Sequence, residues 1–448
     1  MKIFCIGIGG IGLSALARYY KSQGHTVSGS DMSETELTKT LQDEGIEIFI
    51  GTDMYHITDN IDEVVYTIAI PESHPEFLQA KKFGIVCKTY AEALGEVTKE
   101  KKTIAVSGTH GKTTTTAMMY HAMKECGINP TVIIGSLIGG TGTNFIHGDS
   151  EYMIVEACEY RRSFLNLFPE YLIVTNVDAD HLDYYKDLYD IKSAFQSFAE
   201  KIPASGFLVT HKDLSFETVC KKINADSINA DEIELSVLGK HNQSNAQLVL
   251  AVINALGLDE VKARAGLRKF KGTWRRLEYK GEYKGASFYD DYGHHPTEIK
   301  ATLEAIREKY PDGLNATGKN VASSDHPKGG LRKFKLVVVF QPHLYSRTRL
   351  LFNDFINSFT LADKILILPI YAAREDFDSK ISSHDLVENI NNSIYMQDLE
   401  EVKKYIDDKC HSGSVVITIG AGDVYKLHNL FEKESVLNLG VIPVKTGI

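Results

Sequence analysis

Short apolar runs alternate with amphipathic stretches through the first hundred residues of the chain. The alternation predicts strands at residues 2–9, 25–31 and 64–70, and a helix at residues 12–24 that ends on a glycine. This order of strand, helix and strand is typical of a parallel, doubly wound sheet. The charged segment "TKEKK" then predicts a domain boundary near Glu100.

The alternation continues through the rest of the chain. Three apolar runs have the unbroken character of strands buried on both faces: residues 152–158, 171–177 and 206–211. Helices are predicted from Lys112 and over residues 187–202. After a second boundary near residues 270–274, the pattern predicts a helix at residues 299–310 and strands at residues 286–291, 335–343, 364–371 and 414–422.

We therefore predict an α/β fold of three domains. A Rossmann-like N-terminal domain spans residues 1–100, a central P-loop mononucleotide-binding domain spans 101–272, and a Rossmann-like C-terminal domain spans 273–448. Residues 311–335 do not fit this pattern, because they are rich in Gly, Asn, Ser and Lys and lack apolar periodicity. They are predicted to form a surface loop or a disordered insertion.

Composition narrows the class of protein. The 448 residues are 43% hydrophobic and 24% charged, as in globular proteins, and the net charge of −10 argues against a nucleic-acid partner. No apolar stretch is long enough to cross a membrane, and the N-terminus resembles a strand more than a signal peptide. The six scattered cysteines are typical of reduced thiols. A cytoplasmic protein, monomeric or homodimeric, is expected.

Two glycine-rich turns follow predicted strands. The turn "GTHGKTTTT" predicts a phosphate loop, with Lys112 on the outer phosphates and Thr113 on a magnesium ion, although Val106 replaces the first glycine of the strict pattern. The turn at Gly7, Gly9, Gly10 and Gly12 resembles a dinucleotide fingerprint. Asp31 follows where an acid that binds ribose would lie. Either a nicotinamide cofactor or a nucleotide-sugar diphosphate suits the turn at Gly7, which comes first in the chain.

Polar residues cluster where the later strands end. Glu156 and His181 follow successive strands after the phosphate loop, which favours metal ligation over two unrelated polar loop residues. The third domain carries "DDYGHHPTEI" and "FQPHLYSRTRL", rich in acids, imidazoles and arginines. Helix capping and solvated cations would explain each residue singly, but the combination suits an active site.

The order and spacing of these motifs resemble the Mur ligase family over roughly residues 1–430. The motifs are "GIGGIG", "GTHGKTTTT", "EACEYRRSFL", "TNVDADHLDYY", "GKHNQSNA", "RR", "DDYGHHPTEIKATL" and "FQPHLYSRTR". The resemblance is nearest to the branch that adds alanine. It implies ligation of L-alanine to UDP-N-acetylmuramate in peptidoglycan synthesis, with ATP and Mg²⁺ and through an acyl phosphate. The first turn would then bind the UDP-sugar and the second would bind ATP.

The resemblance also implies roles for single residues. Catalytic roles fall on Lys112, Arg276, His295, His343 and Arg347. ATP would contact Gly108, Thr109, His110, Gly111, Lys112, Thr113, Thr114, His241, Asn242, Asn245 and Asp291. The UDP-sugar would contact Gly7, Gly9, Gly10, Gly12 and Asp31, and alanine would contact Tyr292 and His343. The metal ligands would be Thr113, Glu156 and His181.

The sequence departs from the family pattern at several positions. Gln196 stands where some relatives carry a carbamylated lysine, Leu344 stands where many carry arginine, and Thr52 stands where a histidine is frequent near the uridine site. Two alternatives remain open: a recycling ligase that adds a preformed tripeptide, and a dinucleotide-binding oxidoreductase or ATP-gated regulator. Glu156 and His181 behind a phosphate loop favour the ligase.

Overall fold

A computed structural model describes residues 1–139, 141–310, 335–373 and 375–431. The predicted insertion 311–335 lies outside the described residues except for Lys335, which begins a strand and so does not belong to a loop. By contact density the chain forms two compact units. The first comprises Met1–Ala179, Tyr184–Ser236 and Asn242–Thr273, and the second comprises Asp180–Asp183, Val237–His241 and the chain from Trp274 onward.

The first sheet of unit one is built entirely of parallel strands, in the order β3-β2-β1-β4-β5. Its strands are β1 (Lys2–Ile6), β2 (Thr26–Asp31), β3 (Glu47–Ile50), β4 (Glu63–Tyr66) and β5 (Val86–Thr89). Its helices are α1 (Ile11–Ser22), α2 (Glu36–Asp43), α3 (Pro75–Lys82) and α4 (Tyr90–Thr98). The predicted parallel sheet is confirmed, and the turn between β1 and α1 is the glycine-rich turn.

The second sheet of unit one has the order β12-β11-β10-β6-β9-β7-β8, parallel except for the β7–β8 pair. Its strands are β6 (Lys102–Ser107), β7 (Thr131–Ile133), β8 (Phe145–Ile146), β9 (Tyr152–Glu156), β10 (Tyr171–Val174), β11 (Phe207–Thr210) and β12 (Lys221–Asn224). Its helices are α5 (Lys112–Glu125), α6 (Leu188–Ala199), α7 (Lys240–Ala255) and α8 (Glu260–Lys269). The central strands β6, β9 and β10 are largely buried, and the phosphate loop follows β6.

Unit two holds a third sheet with the order β13-β14-β18-β15-β16-β17, in which only β13 and β14 pair antiparallel. Its strands are β13 (Glu278–Tyr283), β14 (Ala286–Asp291), β15 (Lys335–Phe340), β16 (Lys364–Ile367), β17 (Ser393–Tyr395) and β18 (Ser414–Ile419). Its helices are α9 (Pro296–Lys309), α10 (Tyr345–Leu350), α11 (Phe352–Ser358), α12 (Ser383–Asn389) and α13 (Leu399–Lys409). Apolar clusters lie on both faces of this sheet, as expected for a doubly wound fold.

Candidate functional site

The turn between β6 and α5 has the geometry of a phosphate loop. Gly108 and Gly111 have φ angles of 134° and 82°, which side chains with a Cβ rarely adopt. The loop is braced from the neighbouring strand end, because Asn176 Oδ1 accepts a hydrogen bond of 2.8 Å from the His110 amide. Thr109, Thr113 and Thr114 are buried around it. The loop therefore holds the backbone amides at the N-terminus of α5 in a position to bind an anion.

Lys112 is held by three groups of its own unit. Its Nζ donates to the carbonyl oxygens of Gly108 at 2.6 Å and Thr109 at 3.0 Å, and it lies 2.9 Å from Glu159 Oε2. Glu159 is only 2% exposed. Burial alone would lower the pKa of Lys112, but the nearby acidic groups, Glu159 foremost, together raise that pKa above the usual range. Glu159 was not predicted from the sequence, because nothing in the motif "EACEYRR" indicates that this acid pairs with Lys112.

Thr113 and Glu156 are brought together as predicted. Thr113 Oγ1 lies 3.1 Å from Glu156 Oε1, and Glu156 Oε2 accepts a hydrogen bond of 2.9 Å from the Gly135 amide. A Cβ on Gly135 would approach Glu156 Oε1 to 2.8 Å, so glycine is what leaves room for the carboxylate. A hydroxyl oxygen beside a carboxylate, next to a phosphate loop, fits the ligand preference of Mg²⁺.

The predicted adenine contacts are divided between the two units. Asn242 and Asn245 belong to unit one, are 7% and 5% exposed, and lie one turn apart on α7. Asn245 lies against the phosphate loop, because a Cβ on Gly111 would come within 2.7 Å of its Oδ1. His241 belongs to unit two, where burial lowers its pKa.

The first glycine-rich turn is stabilised by hydrogen bonds within the turn and to the end of β2. The amides of Gly7 and Ile8 donate to the Ser30 carbonyl, and the Gly10 amide donates to the Gly7 carbonyl. Asp31 Oδ2 accepts a hydrogen bond of 2.8 Å from the Gly9 amide, so this acid fixes the turn. A cavity of about 400 Å³ opens beside the turn. It is lined by Ile6, Gly7, Gly9, Gly10, Ser30, Asp31, Met32, Gly51, Thr52, Thr67, Ala69, Ile70 and His74.

In unit two, Arg347 pairs with Asp180, an acid that the sequence reasoning did not assign a role. Arg347 Nη2 and Nε lie 2.9 and 3.2 Å from Asp180 Oδ1, and both side chains are 7% exposed. Burial would raise the pKa of Asp180, but the Arg347 guanidinium and the nearby histidines together hold that pKa well below its usual range. His343 Nδ1 lies 3.2 Å from Arg347 Nη1. His181, a predicted metal ligand, belongs to the same unit and follows Asp180 directly.

The two consecutive arginines of "GTWRRL" differ sharply in environment. Arg275 is 2% exposed; its Nε donates to Asp290 at 2.8 Å, and its Nη1 donates to the Gly422 carbonyl at 3.1 Å. The Arg276 side chain is 29% exposed and lies with its guanidinium 5.2 Å from the centre of the Tyr292 ring. Arg275 is thus part of the framework, and Arg276 is the arginine that solvent and ligands can reach.

The remaining predicted residues of unit two lie around the start of α9. Asp291 accepts hydrogen bonds of 2.7 Å from the amides of Leu277 and Gly293, and burial raises its pKa to about 6. His295 caps α9, since its Nδ1 accepts from the Thr297 amide at 3.3 Å. His295 is therefore a helix cap, as one of the two explanations of this residue predicted.

The chain is similar to known proteins along almost its full length. Models of the Mur ligase family match it in three parts: the catalytic domain over residues 2–102, the middle domain over 106–231 and the glutamate ligase domain over 275–422. A UDP-N-acetylmuramate–L-alanine ligase of Caldicellulosiruptor saccharolyticus is 39% identical over 97% of this chain and 99% of its own.

Solved structures agree with this similarity. The UDP-N-acetylmuramate-alanine ligase of Thermotoga maritima is 27% identical, with a TM-score of 0.78 over 98% of this chain and all of its own. A murein peptide ligase of Psychrobacter arcticus has a TM-score of 0.66 at 21% identity over 99% of this chain, which shows a shared fold. No helix within the described ranges is long and apolar enough to cross a membrane.

Proposed function

This chain belongs to the Mur ligase family, and we propose that it joins L-alanine to the carboxylate of UDP-N-acetylmuramate, with cleavage of ATP to ADP and phosphate. The observation that carries the proposal is the phosphate loop with Lys112 and the Thr113–Glu156 pair, in the same compact unit as a second glycine-rich turn. Two such turns match an enzyme whose substrates are two different nucleotides.

The reaction has two steps. A carboxylate oxygen of UDP-N-acetylmuramate attacks the γ-phosphorus of ATP, and the bond to the bridging oxygen of ADP breaks, which gives an acyl phosphate. The alanine amine then attacks the acyl carbon, loses a proton and expels phosphate. Negative charge accumulates on oxygen in both steps, so positioned cations lower both barriers.

Residues of unit one are assigned to ATP. Lys112 and the amides of residues 108–114 bind its phosphates, and Asn242 and Asn245 bind the adenine side of the nucleotide. Thr113 and Glu156 would hold a first Mg²⁺, and His181 would be a ligand of a second. Each ion would neutralise phosphate charge when bound.

Residues of unit two are assigned to the incoming amino acid and the reacting phosphate. Tyr292 and His343 contact alanine, and Arg276 and Arg347 supply positive charge, with His295 beside them. His241 and Asp291 contact the nucleotide.

Functional domains of residues 1–100, 101–272 and 273–448 remain our proposal. ATP and a UDP-sugar as substrates imply a cytoplasmic enzyme that serves wall growth, cell shape and division.

Phosphate release tests the proposal directly. Release is expected only when ATP, Mg²⁺, UDP-N-acetylmuramate and L-alanine are all present, without any change in NADH absorbance. Release with a preformed tripeptide in place of alanine would support the recycling ligase instead. Oxidation of NADH, or phosphate release without the sugar nucleotide, would contradict ligase activity altogether.

The assignment of two separate nucleotide sites has its own test. Lys112→Ala is expected to abolish turnover and to leave UDP-N-acetylmuramate binding nearly unchanged, because Lys112 begins α5 and its hydrogen bonds join it to the phosphate loop and Glu159. Titration calorimetry with each nucleotide measures both affinities. An equal loss of affinity for the two nucleotides would contradict separate sites.

A further inference from the structure

The described lining of the cavity beside the first glycine-rich turn offers no cationic side chain to a diphosphate. None of the described residues that line it is a lysine or an arginine, and its one carboxylate, Asp31, is bound to Gly9. Phosphates are better served by the first amides of α1, at Ile11 and Gly12, because the first amides of a helix have no partner within it. The lining of the cavity itself combines the apolar side chains of Met32 and Ile70 with a few polar groups, which suits a flat heterocyclic base.

His74 is the lining residue whose polar atoms are best placed to recognise such a base. It precedes α3, and its Nε2 lies 3.5 Å from the hydroxyl of Thr52, another lining residue. Its Nδ1 is buried and has no hydrogen-bond partner among the described residues, while Glu76 Oε2 lies 3.8 Å away. Nε2 of the ring thus lies toward the Thr52 hydroxyl, and Nδ1 lies toward the Glu76 carboxylate.

Glu76 is held firmly beneath this ring. The carboxylate is 0% exposed, accepts a hydrogen bond of 2.6 Å from Ser30 Oγ, and lies 2.7 Å from His56 Nδ1. The His56 ring in turn stacks on Phe49 at 4.4 Å between centroids. A buried carboxylate beside His74 Nδ1 favours a proton on that nitrogen, which leaves Nε2 to accept a hydrogen bond.

We propose that His74 is a specificity residue that accepts a hydrogen bond from the imide N–H of uracil, and that Glu76 is the positioning residue that sets its tautomer and orientation. The proposal rests on the proposed function, which places a uridine nucleotide in this cavity. Uracil carries a hydrogen at N3 and cytosine carries a lone pair there. An acceptor nitrogen on His74 therefore selects UDP over CDP.

Titration calorimetry on the full chain tests the proposal with three probes: UDP, CDP and inorganic pyrophosphate. In His74→Ala the affinity for UDP is expected to fall about tenfold, as for the loss of one hydrogen bond to a buried group, while the affinities for CDP and pyrophosphate stay unchanged. His25→Ala, a histidine of the same domain that does not line the cavity, is the matched control and is expected to bind all three as wild type does.

Glu76→Gln separates positioning from support of the fold. It is expected to raise KM for UDP-N-acetylmuramate and to leave kcat and KM for ATP unchanged, whereas a purely structural role would lower thermal stability and all activities together. Glu76→Asp keeps the charge and is expected to recover part of the UDP preference.

The outcomes distinguish this inference from the proposed function. A His74→Ala protein with the wild-type ratio of UDP to CDP affinity would overturn the inference, and so would a parallel loss of pyrophosphate affinity, which would make His74 a phosphate contact. A wild-type protein that binds neither UDP nor UDP-N-acetylmuramate would instead overturn the proposed function.

Discussion

Glu159 is expected to weaken ATP binding, and Glu159→Gln is expected to tighten it. An ammonium group has three N–H donors. Those of Lys112 are directed at the carbonyl of Gly108, the carbonyl of Thr109 and the carboxylate of Glu159. A phosphate oxygen that bonds to Lys112 must therefore displace one of these partners, and a buried carboxylate 2.9 Å from Nζ also repels the incoming anion.

The magnitude follows from the strength of one charge-assisted hydrogen bond, about 1.5–3 kcal/mol. The amide that Glu159→Gln introduces would keep the shape of the side chain and one acceptor oxygen, but it would compete with phosphate for Lys112 far less. We expect the dissociation constant of ATP to fall by about 10- to 150-fold. The unfolding free energy without nucleotide is expected to fall by about 1–3 kcal/mol, because Lys112 would lose its counter-ion while keeping both carbonyl contacts.

Titration calorimetry with Mg²⁺ and a non-hydrolysable ATP analogue measures the affinity, and thermal unfolding with and without the analogue measures the linked stabilisation. Glu156→Gln is the matched control, an identical change three residues earlier. It is expected to weaken the binding of the analogue, since Glu156 bonds Thr113 at the proposed metal site. Weaker binding in Glu159→Gln, or equal affinity in it and the wild type, would refute the reasoning.

Three further predictions concern unit two. Arg275→Ala should lower the unfolding free energy by about 3–5 kcal/mol, because it leaves the buried carboxylate of Asp290 without its partner. Arg276→Ala should lower the unfolding free energy by under about 1 kcal/mol and should reduce turnover instead. Urea unfolding measures the first effect, and phosphate release measures the second. Arg347→Ala should reduce kcat about a hundred- to a thousandfold with ATP affinity little changed, and adding Asp180→Asn should restore stability without restoring kcat. The pKa of Asp291 is raised to about 6, so the stabilisation from its protonated form is present below its ordinary pKa of 3.8 and is lost as pH rises through about 6. The unfolding free energy of Asp291→Asn should therefore exceed that of the wild type by up to about 3 kcal/mol at pH 7 and by nothing at pH 4.

The sequence predicted the central strands of all three sheets and missed strands at their edges. Strands such as β6, β10 and β18 are almost wholly buried, so their residues form continuous apolar runs. Strands such as β3 and β12 lie at sheet edges, where most positions are partly or fully exposed. Without burial on both faces these segments carry too little apolar pattern to be distinguished from loops.

The candidate site was predictable where its residues follow one another in the chain. Lys112 and Thr113 lie within one motif, and Glu156 follows the next strand of the same sheet, so a regular α/β order brings them together. Asp180 and Arg347 are separated by 167 residues, and Glu159 reaches Lys112 across 47. Such pairs depend on the tertiary fold, and local patterns do not encode them.

These internal pairs also explain how the molecule keeps cations at positions that water hardly reaches. Arg347 is buried and the Lys112 side chain is only 14% exposed, so an unpaired charge at either position would lower the stability of the fold. Each is instead balanced by an acid from its own unit, Glu159 or Asp180. A negatively charged substrate then exchanges one carboxylate partner for another, so the net gain on binding is smaller than the gross attraction suggests. Removing an acid should therefore strengthen binding and weaken the fold, and Glu159→Gln tests both effects in one variant.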